Sequence, residues 1–163
     1  MSIAVPWPDF SSARPDLASL GRSMFYAFDV GLGFLATVRP DGGPRVHPVC
    51  PIFVHDRLFV MVIPGPKLND LQRDSRYALH SETFPPPSAD DGFYVSGEVV
   101  KVEEPELRDE IAGQFFVERP GMDKWPGFDD QVFFELLVDR ALLTLTSERD
   151  GFPRGATVWR AAA

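Results

Sequence analysis

The spacing of hydrophobic positions changes from helical to alternating near Gly33. Before that point, apolar side chains recur every three or four residues from Leu17 to Phe28, which predicts a helix over about 15–28. Pro15 suits the first turn of this helix, because a proline there loses no intrahelical hydrogen bond. Two prolines and the absence of a periodic pattern near the N-terminus predict an irregular arm over 1–14.

Beyond Gly33 the pattern is that of short strands separated by turn residues. Pro48 and Pro51 cannot donate backbone hydrogen bonds, so the strand that contains them should lie at a sheet edge or carry a bulge. Short strands with interspersed helices predict a mainly β (α+β) antiparallel barrel with flanking helices, in a single domain over 1–163. Strands are predicted at 34–39, 46–54, 58–63, 77–81, 93–102, 132–138, 142–146 and 156–159, helices at 67–73 and 103–116, and a stiff proline loop at 84–91.

Composition and charge narrow the classes of function. The formal net charge of −8 disfavours binding to the phosphates of nucleic acids. No apolar run is long enough for a membrane helix, and the N-terminus lacks the pattern of a secretory signal. Cys50 is the single cysteine, so we expect a cytoplasmic protein without an intrachain disulfide. The three histidines show no metal-ligand spacing, and no metal site is predicted.

The segment from Ile63 to Leu71 is the strongest candidate for chemistry. Prolines flank Gly65, and a short helix begins near Lys67. A helix N-terminus offers free backbone N–H groups and a favourable dipole to an anion, and a lysine there adds a positive charge. The segment therefore predicts a phosphate-binding site, although a solvated lysine at a plain loop-to-helix transition would give the same pattern.

The order of motifs along the chain resembles a known family. Residues 33–44 (GFLATVRPDGGP) precede 46–49 (VHPV), 57–60 (RLFV), the helix at 67–76 (KLNDLQRDSR) and a glycine-interrupted strand at 95–102 (VSGEVVKV). This series resembles the pyridoxamine 5′-phosphate oxidase-like family of flavin-binding split barrels. The resemblance implies a six-stranded split β-barrel and a homodimer that holds flavin mononucleotide (FMN) between its subunits.

The resemblance also implies which residues hold the cofactor. Lys67 would meet the phosphate, together with a second basic group, Arg45 or His47, from the second strand. Arg45, His47 and Val49 alternate along that strand, so they share one face. The isoalloxazine edge would meet Val62, Ile63 and Pro64, and Val49 would supply apolar contact to the ring.

The implied activity is that of an FMN-dependent oxidoreductase that passes a hydride to or from a small organic substrate. No catalytic side chain is predicted, because the flavin supplies the redox chemistry. The C-terminus ends in TVWR at 157–160, without the substrate segment of the oxidase, so oxidation of pyridoxamine phosphate itself is not expected. The roles of His80, Trp125 and Trp159 stay open.

Other functions fit the same sequence. A deazaflavin-dependent reductase of the same fold would need the same phosphate site. A non-catalytic flavin- or haem-binding protein is favoured by Val62 and Ile63, which stand where hydroxyl side chains are common in the family. The many phenylalanines also fit an interaction domain that only dimerises.

Overall fold

Antiparallel strand pairs build one curled sheet in a computed structural model, which describes residues 3–83, 91–146 and 156–162. The predicted proline loop lies outside the described residues, apart from Asp91. The strands are β1 (Gly33–Val38), β2 (Pro44–Val49), β3 (Ile52–Val54), β4 (Arg57–Val62), β5 (Arg76–Ser81), β6 (Gly92–Lys101), β7 (Val132–Thr144) and β8 (Thr157–Arg160). The helices are α1 (Trp7–Ala13), α2 (Pro15–Phe25), α3 (Pro66–Arg73) and α4 (Pro105–Val117), with a 3₁₀ turn at Phe128–Asp130.

The sheet runs in the order β2-β1-β5-β6-β7-β4-β3, and β8 pairs with β7. This arrangement confirms the predicted mainly β, antiparallel architecture with flanking helices. The described part has eight strands instead of the six implied by the family resemblance. The strand predicted at 46–54 divides at Cys50 and Pro51 into β2 and β3, which lie at opposite ends of the strand order. The prediction that its prolines mark an edge is therefore confirmed.

The strands predicted at 132–138 and 142–146 are one continuous strand, β7. The sequence prediction leaves a gap at 139–141, yet β6 pairs with β7 on both sides of Asp139. The register shifts between Ser96 and Gly97, which accommodates the irregularity as a β-bulge.

The prediction of an irregular arm over 1–14 is wrong for its second half, where α1 forms. Pro8 lies in the first turn of α1, where a missing N–H costs no intrahelical hydrogen bond. Trp7 and Phe10 are three residues apart and both buried, so core packing stabilises this short helix. The helix predicted to reach residue 28 ends at Phe25, and Phe28 is 49% exposed.

Among the described residues, two hydrophobic clusters form the core. The larger one joins α1 and α2 to strands of the sheet. The smaller one packs α4 against β3, β4 and β7 through Ile52, Phe59, Ile111, Phe115 and Phe133. Within the described ranges no helix has the length and apolarity needed to span a membrane.

A buried carboxylate fixes α3 to the sheet. Asp70 on α3 is only 2% exposed, and its Oδ2 accepts hydrogen bonds from Thr37 Oγ1 at 2.9 Å and Arg45 Nε at 2.7 Å. Arg73 Nη1 lies 3.4 Å from the other oxygen, Oδ1. The Arg45 guanidinium holds the pKa of the Asp70 carboxyl below its ordinary value; Thr37 and Arg73 act in the same direction, and burial opposes them. Strands β1 and β2 thereby set the position of α3, which carries Lys67.

We expect Asp70→Asn to lower the urea midpoint of unfolding at pH 7, because an amide keeps the shape but loses the charge that Arg45 binds. A carboxyl with a depressed folded-state pKa stabilises the fold above its unfolded-state pKa, and that stability is lost as the pH falls through the folded-state value. The difference between wild type and Asp70→Asn should therefore shrink in acid. Urea unfolding from pH 7 to pH 2 measures it.

Asp16→Asn is the matched control for this experiment. Arg14 lowers the pKa of Asp16 to about 2, but the Asp16 side chain is 60% exposed, so solvent weakens the pair. Asp16→Asn should change the urea midpoint far less at every pH. Equal effects of Asp70→Asn and Asp16→Asn on the urea midpoint would contradict a larger contribution of the buried Asp70 contacts to stability.

Candidate functional site

A cleft of about 190 Å³ opens where β2 and β4 end and α3 begins. Val49, Ile63 and Lys67 line it, so the structure brings together three of the seven residues that the sequence assigned to a cofactor. Cys50, Met61, Phe115, Trp125 and Gln131 contribute to the remaining walls. Most of these walls are apolar, so the few polar groups decide which ligand the cleft accepts.

Lys67 supplies the positive charge of the cleft. The chain turns out of β4 at Gly65, whose φ of 151° suits glycine, and α3 starts at Pro66. Lys67 therefore lies in the first turn, beside backbone N–H groups that lack intrahelical acceptors. Burial lowers the pKa of its ammonium group, Cys50 opposes this effect, and no carboxylate of the described residues contributes to the shift. A partly buried ammonium without a carboxylate partner favours an anionic ligand.

Arg45 and His47 do not line the cleft. The register pairs Thr37 with Arg45 and Leu35 with His47, so both side chains lie on the sheet face that carries α3, as their alternation predicted. Arg45 donates to Asp70 and is thereby engaged in holding the helix. His47 is exposed. Neither residue stands beside Lys67 as a second cation on the cleft wall.

Val62 and Pro64 flank the cleft without lining it. Val62 is fully buried and packs into the larger hydrophobic cluster. Pro64 is exposed in the turn before α3. Contact of any of the seven assigned residues with a ligand stays a prediction.

Gln131 is the residue that the sequence gave no reason to select. It precedes β7 and is only 4% exposed, and its side-chain Nε2 has no hydrogen-bond partner in the described part of the chain. Its place in the cleft follows from the pairing of β4 with β7, which is remote in sequence. Cys50 is partly exposed and lines the same cleft.

The three residues whose roles the sequence left open, His80, Trp125 and Trp159, lie in different parts of the structure. Trp125 lines the cleft and is held by aromatic contacts, with ring centroids 4.9 Å from Phe128 and 6.0 Å from Phe115. Trp159 packs on Phe10 at 4.8 Å, away from the cleft. His80 lines a different groove of about 480 Å³, next to Tyr94. Among the described residues, no group of three His, Cys, Asp or Glu is placed to hold a metal ion.

No protein-family profile and no curated protein sequence matches the chain. Solved structures do match its fold. A heme binding protein from Mycobacterium smegmatis superposes with a TM-score of 0.67 and 16% identity, over 90% of this chain and 59% of that one. An FAD-binding protein from Mesorhizobium loti gives 0.56 and 18%, over 68% and 82% of the two chains.

A third similar structure is that of a protein of the pyridoxinephosphate oxidase family. It is a protein from Clostridium acetobutylicum related to general stress protein 26 of B. subtilis and described as of the pyridoxinephosphate oxidase family. Its TM-score is 0.61 at 10% identity, and the match covers 89% of this chain and 96% of that one. Likeness at such low identity concerns the fold, and the fold of this chain is the split barrel that its sequence predicted.

Proposed function

We propose that the protein binds FMN in this cleft and acts as an oxidoreductase on a small organic substrate. The observation that carries the proposal is Lys67: a partly buried ammonium at a helix N-terminus, in a mostly apolar cleft, without a carboxylate partner among the described residues. A phosphate group can pair with such a cation, and an aromatic ring system can pack against the apolar walls. The names of the similar structures, which include FAD-binding and oxidase-family proteins, support a flavin over other phosphates.

The residues present fit a phosphorylated flavin in part. Lys67 and the first turn of α3 suit the phosphate, and Val49 and Ile63 give apolar contact for the ring. The orphaned Nε2 of Gln131 offers a donor inside the cleft. Arg45 donates its Nε–H to Asp70 and does not line the cleft, so its contact with the phosphate stays a prediction. Among the described side chains that line the cleft, we assign the phosphate to Lys67.

The size of the cleft supports a homodimer. Sites for drug-sized ligands usually enclose about 300–1,000 Å³, and one chain offers about 190 Å³ here. Ile63 and Trp125 at its rim are 53% and 38% exposed, which leaves apolar surface for a second copy to cover. We propose that the partner subunit completes the site.

The chain's part in the reaction would be to bind, orient and exclude water. Bound flavin supplies hydride transfer, which asks no side chain to act as an acid or base. Lys67 and Cys50 are the titratable groups that line the cleft in the described part of the chain. This scarcity fits the second candidate function, a flavin carrier without turnover, equally well. A deazaflavin coenzyme stays a rival ligand, since it carries the same phosphate. We place the protein in the cytoplasm, because its single cysteine suits a reducing compartment.

Lys67→Gln should weaken FMN binding by about 10- to 150-fold, because a hydrogen bond to a charged group contributes about 1.5–3 kcal/mol. Riboflavin, which lacks the phosphate, should bind wild type and Lys67→Gln with similar affinity. Flavin fluorescence titrations measure both constants, and a parallel titration with a deazaflavin coenzyme ranks the two cofactors.

Lys101→Gln is the matched control, because Lys101 is 50% exposed and pairs with Glu103 outside the cleft. It should leave both affinities unchanged. A wild-type protein that stays colourless after incubation with FMN would refute flavin binding. Unchanged FMN affinity in Lys67→Gln would refute the phosphate site at Lys67.

Sedimentation equilibrium should give twice the mass of one chain in the presence of FMN. Ile63→Glu should lower both dimer content and FMN affinity, because it places a charge on the apolar rim that a second copy covers. Val117→Glu, at a residue 73% exposed and outside the cleft, is its control. A monomer that binds FMN as tightly as the dimer would contradict a shared site.

Redox competence separates the enzyme from the carrier. If the protein is an enzyme that accepts hydride from a nicotinamide donor, anaerobic addition of reduced nicotinamide adenine dinucleotide should reduce the bound FMN. The absorption band of the flavin should then bleach. Absorption at the flavin maximum follows the reaction, with free FMN as the blank. A band that persists with nicotinamide donors would favour the carrier.

A further inference from the structure

Gln131 carries a buried donor that the fold itself does not use. Its main chain is satisfied: its N–H donates to Phe128 O at 3.3 Å, and its carbonyl faces Arg108 Nη2 at 3.4 Å. Its side-chain Nε2 is buried and has no acceptor within hydrogen-bond distance among the described residues. Buried polar groups are almost always paired, so this amide at the wall of a cleft has a donor free for a group that enters the cleft.

The strand register places Gln131 beside Ile63, at the part of the cleft that we assign to the flavin ring. Val62 on β4 is paired with Val132 on β7, so Ile63 and Gln131 are the next facing positions at the same end of the two strands. Both residues line the cleft. Lys67 follows four residues later, beyond the turn at Gly65, at the start of α3. The cleft therefore has two separate polar contacts, a cation from α3 and an amide donor from the β4–β7 edge.

We propose that Gln131 donates a hydrogen bond from Nε2 to an acceptor of the ligand's ring system, a carbonyl oxygen or an unprotonated ring nitrogen. This inference rests on the proposed flavin function and deepens it. Lys67 selects the phosphate, and Gln131 selects a heteroaromatic ring that presents an acceptor at its edge. An apolar ring of the same shape would leave Nε2 unpaired and would bind more weakly.

Gln131→Leu tests the assignment, with FMN and riboflavin as probes. Leucine has a similar volume without a donor, so both flavins should bind about tenfold more weakly. The absorption bands of bound FMN should shift, because a hydrogen bond at the ring edge changes its electronic levels. The thermal midpoint of the free protein should stay equal or rise, since the substitution removes an unpaired buried amide. A purely structural glutamine would instead lower the midpoint and leave the flavin spectrum unchanged.

Gln72→Leu is the matched control, because Gln72 is exposed on α3 and does not line the cleft. It should change neither affinity nor spectrum. Gln131→Met serves as the second variant if the leucine form does not fold. Methionine has an unbranched side chain of similar length without a donor and without a charge, so the same losses are expected.

The outcomes separate this inference from the proposed function. Wild-type affinity and spectrum in Gln131→Leu, with flavin still bound, would overturn the role of Gln131 and leave flavin binding intact. A loss confined to FMN, with riboflavin unaffected, would place Gln131 at the phosphate and overturn the ring contact. A wild-type protein that binds neither flavin would overturn both proposals.

Discussion

The Asp70 carboxylate is the contact on which the candidate site depends. It lies almost fully buried and gathers donors from two strands and from its own helix, namely Thr37, Arg45 and Arg73. A buried carboxylate without these partners would destabilise the fold strongly, so the three donors and α3 hold one relative position. That position points the first turn of α3, with Lys67, into the cleft. The Nε–H of Arg45 is engaged in this contact.

Lys67 can attract an anionic ligand although the protein as a whole is acidic. The chain carries a formal net charge of −8, so its distant field repels an anionic ligand. At physiological salt such repulsion is screened over roughly 8 Å, whereas a partly buried ammonium acts at contact and is screened much less. Burial has already lowered the pKa of Lys67, so part of its desolvation cost is met before a ligand arrives. A local anion site can therefore operate within an acidic protein.

Local sequence patterns predicted those features of the fold that depend on neighbouring residues, such as strand edges and helix starts. Pro48 and Pro51 marked edge strands, and the Pro64–Pro66 turn marked the start of α3, because proline and glycine act on their own backbone. The same rules misjudged α1, where prolines in a first turn and two buried aromatic residues favour a helix. The family resemblance assigns Arg45 to a ligand, and only the fold shows that it also binds Asp70, which is 25 residues away. Gln131 had no local signal, since only the pairing of β4 with β7 brings it to the cleft.

The cleft joins ligand binding to assembly if a second copy completes it. Its apolar rim, with Ile63 and Trp125 exposed, has no cover within the described chain, and its volume suits only part of a flavin. A ligand that contacts both copies stabilises the dimer by the same free energy by which the dimer improves its affinity. Gln131 and Lys67 would then fix the ligand on one subunit, and the partner would shield its exposed face from water. The proposed ligand would pair with the amide of Gln131 and the ammonium of Lys67, and the proposed partner subunit would cover the apolar rim.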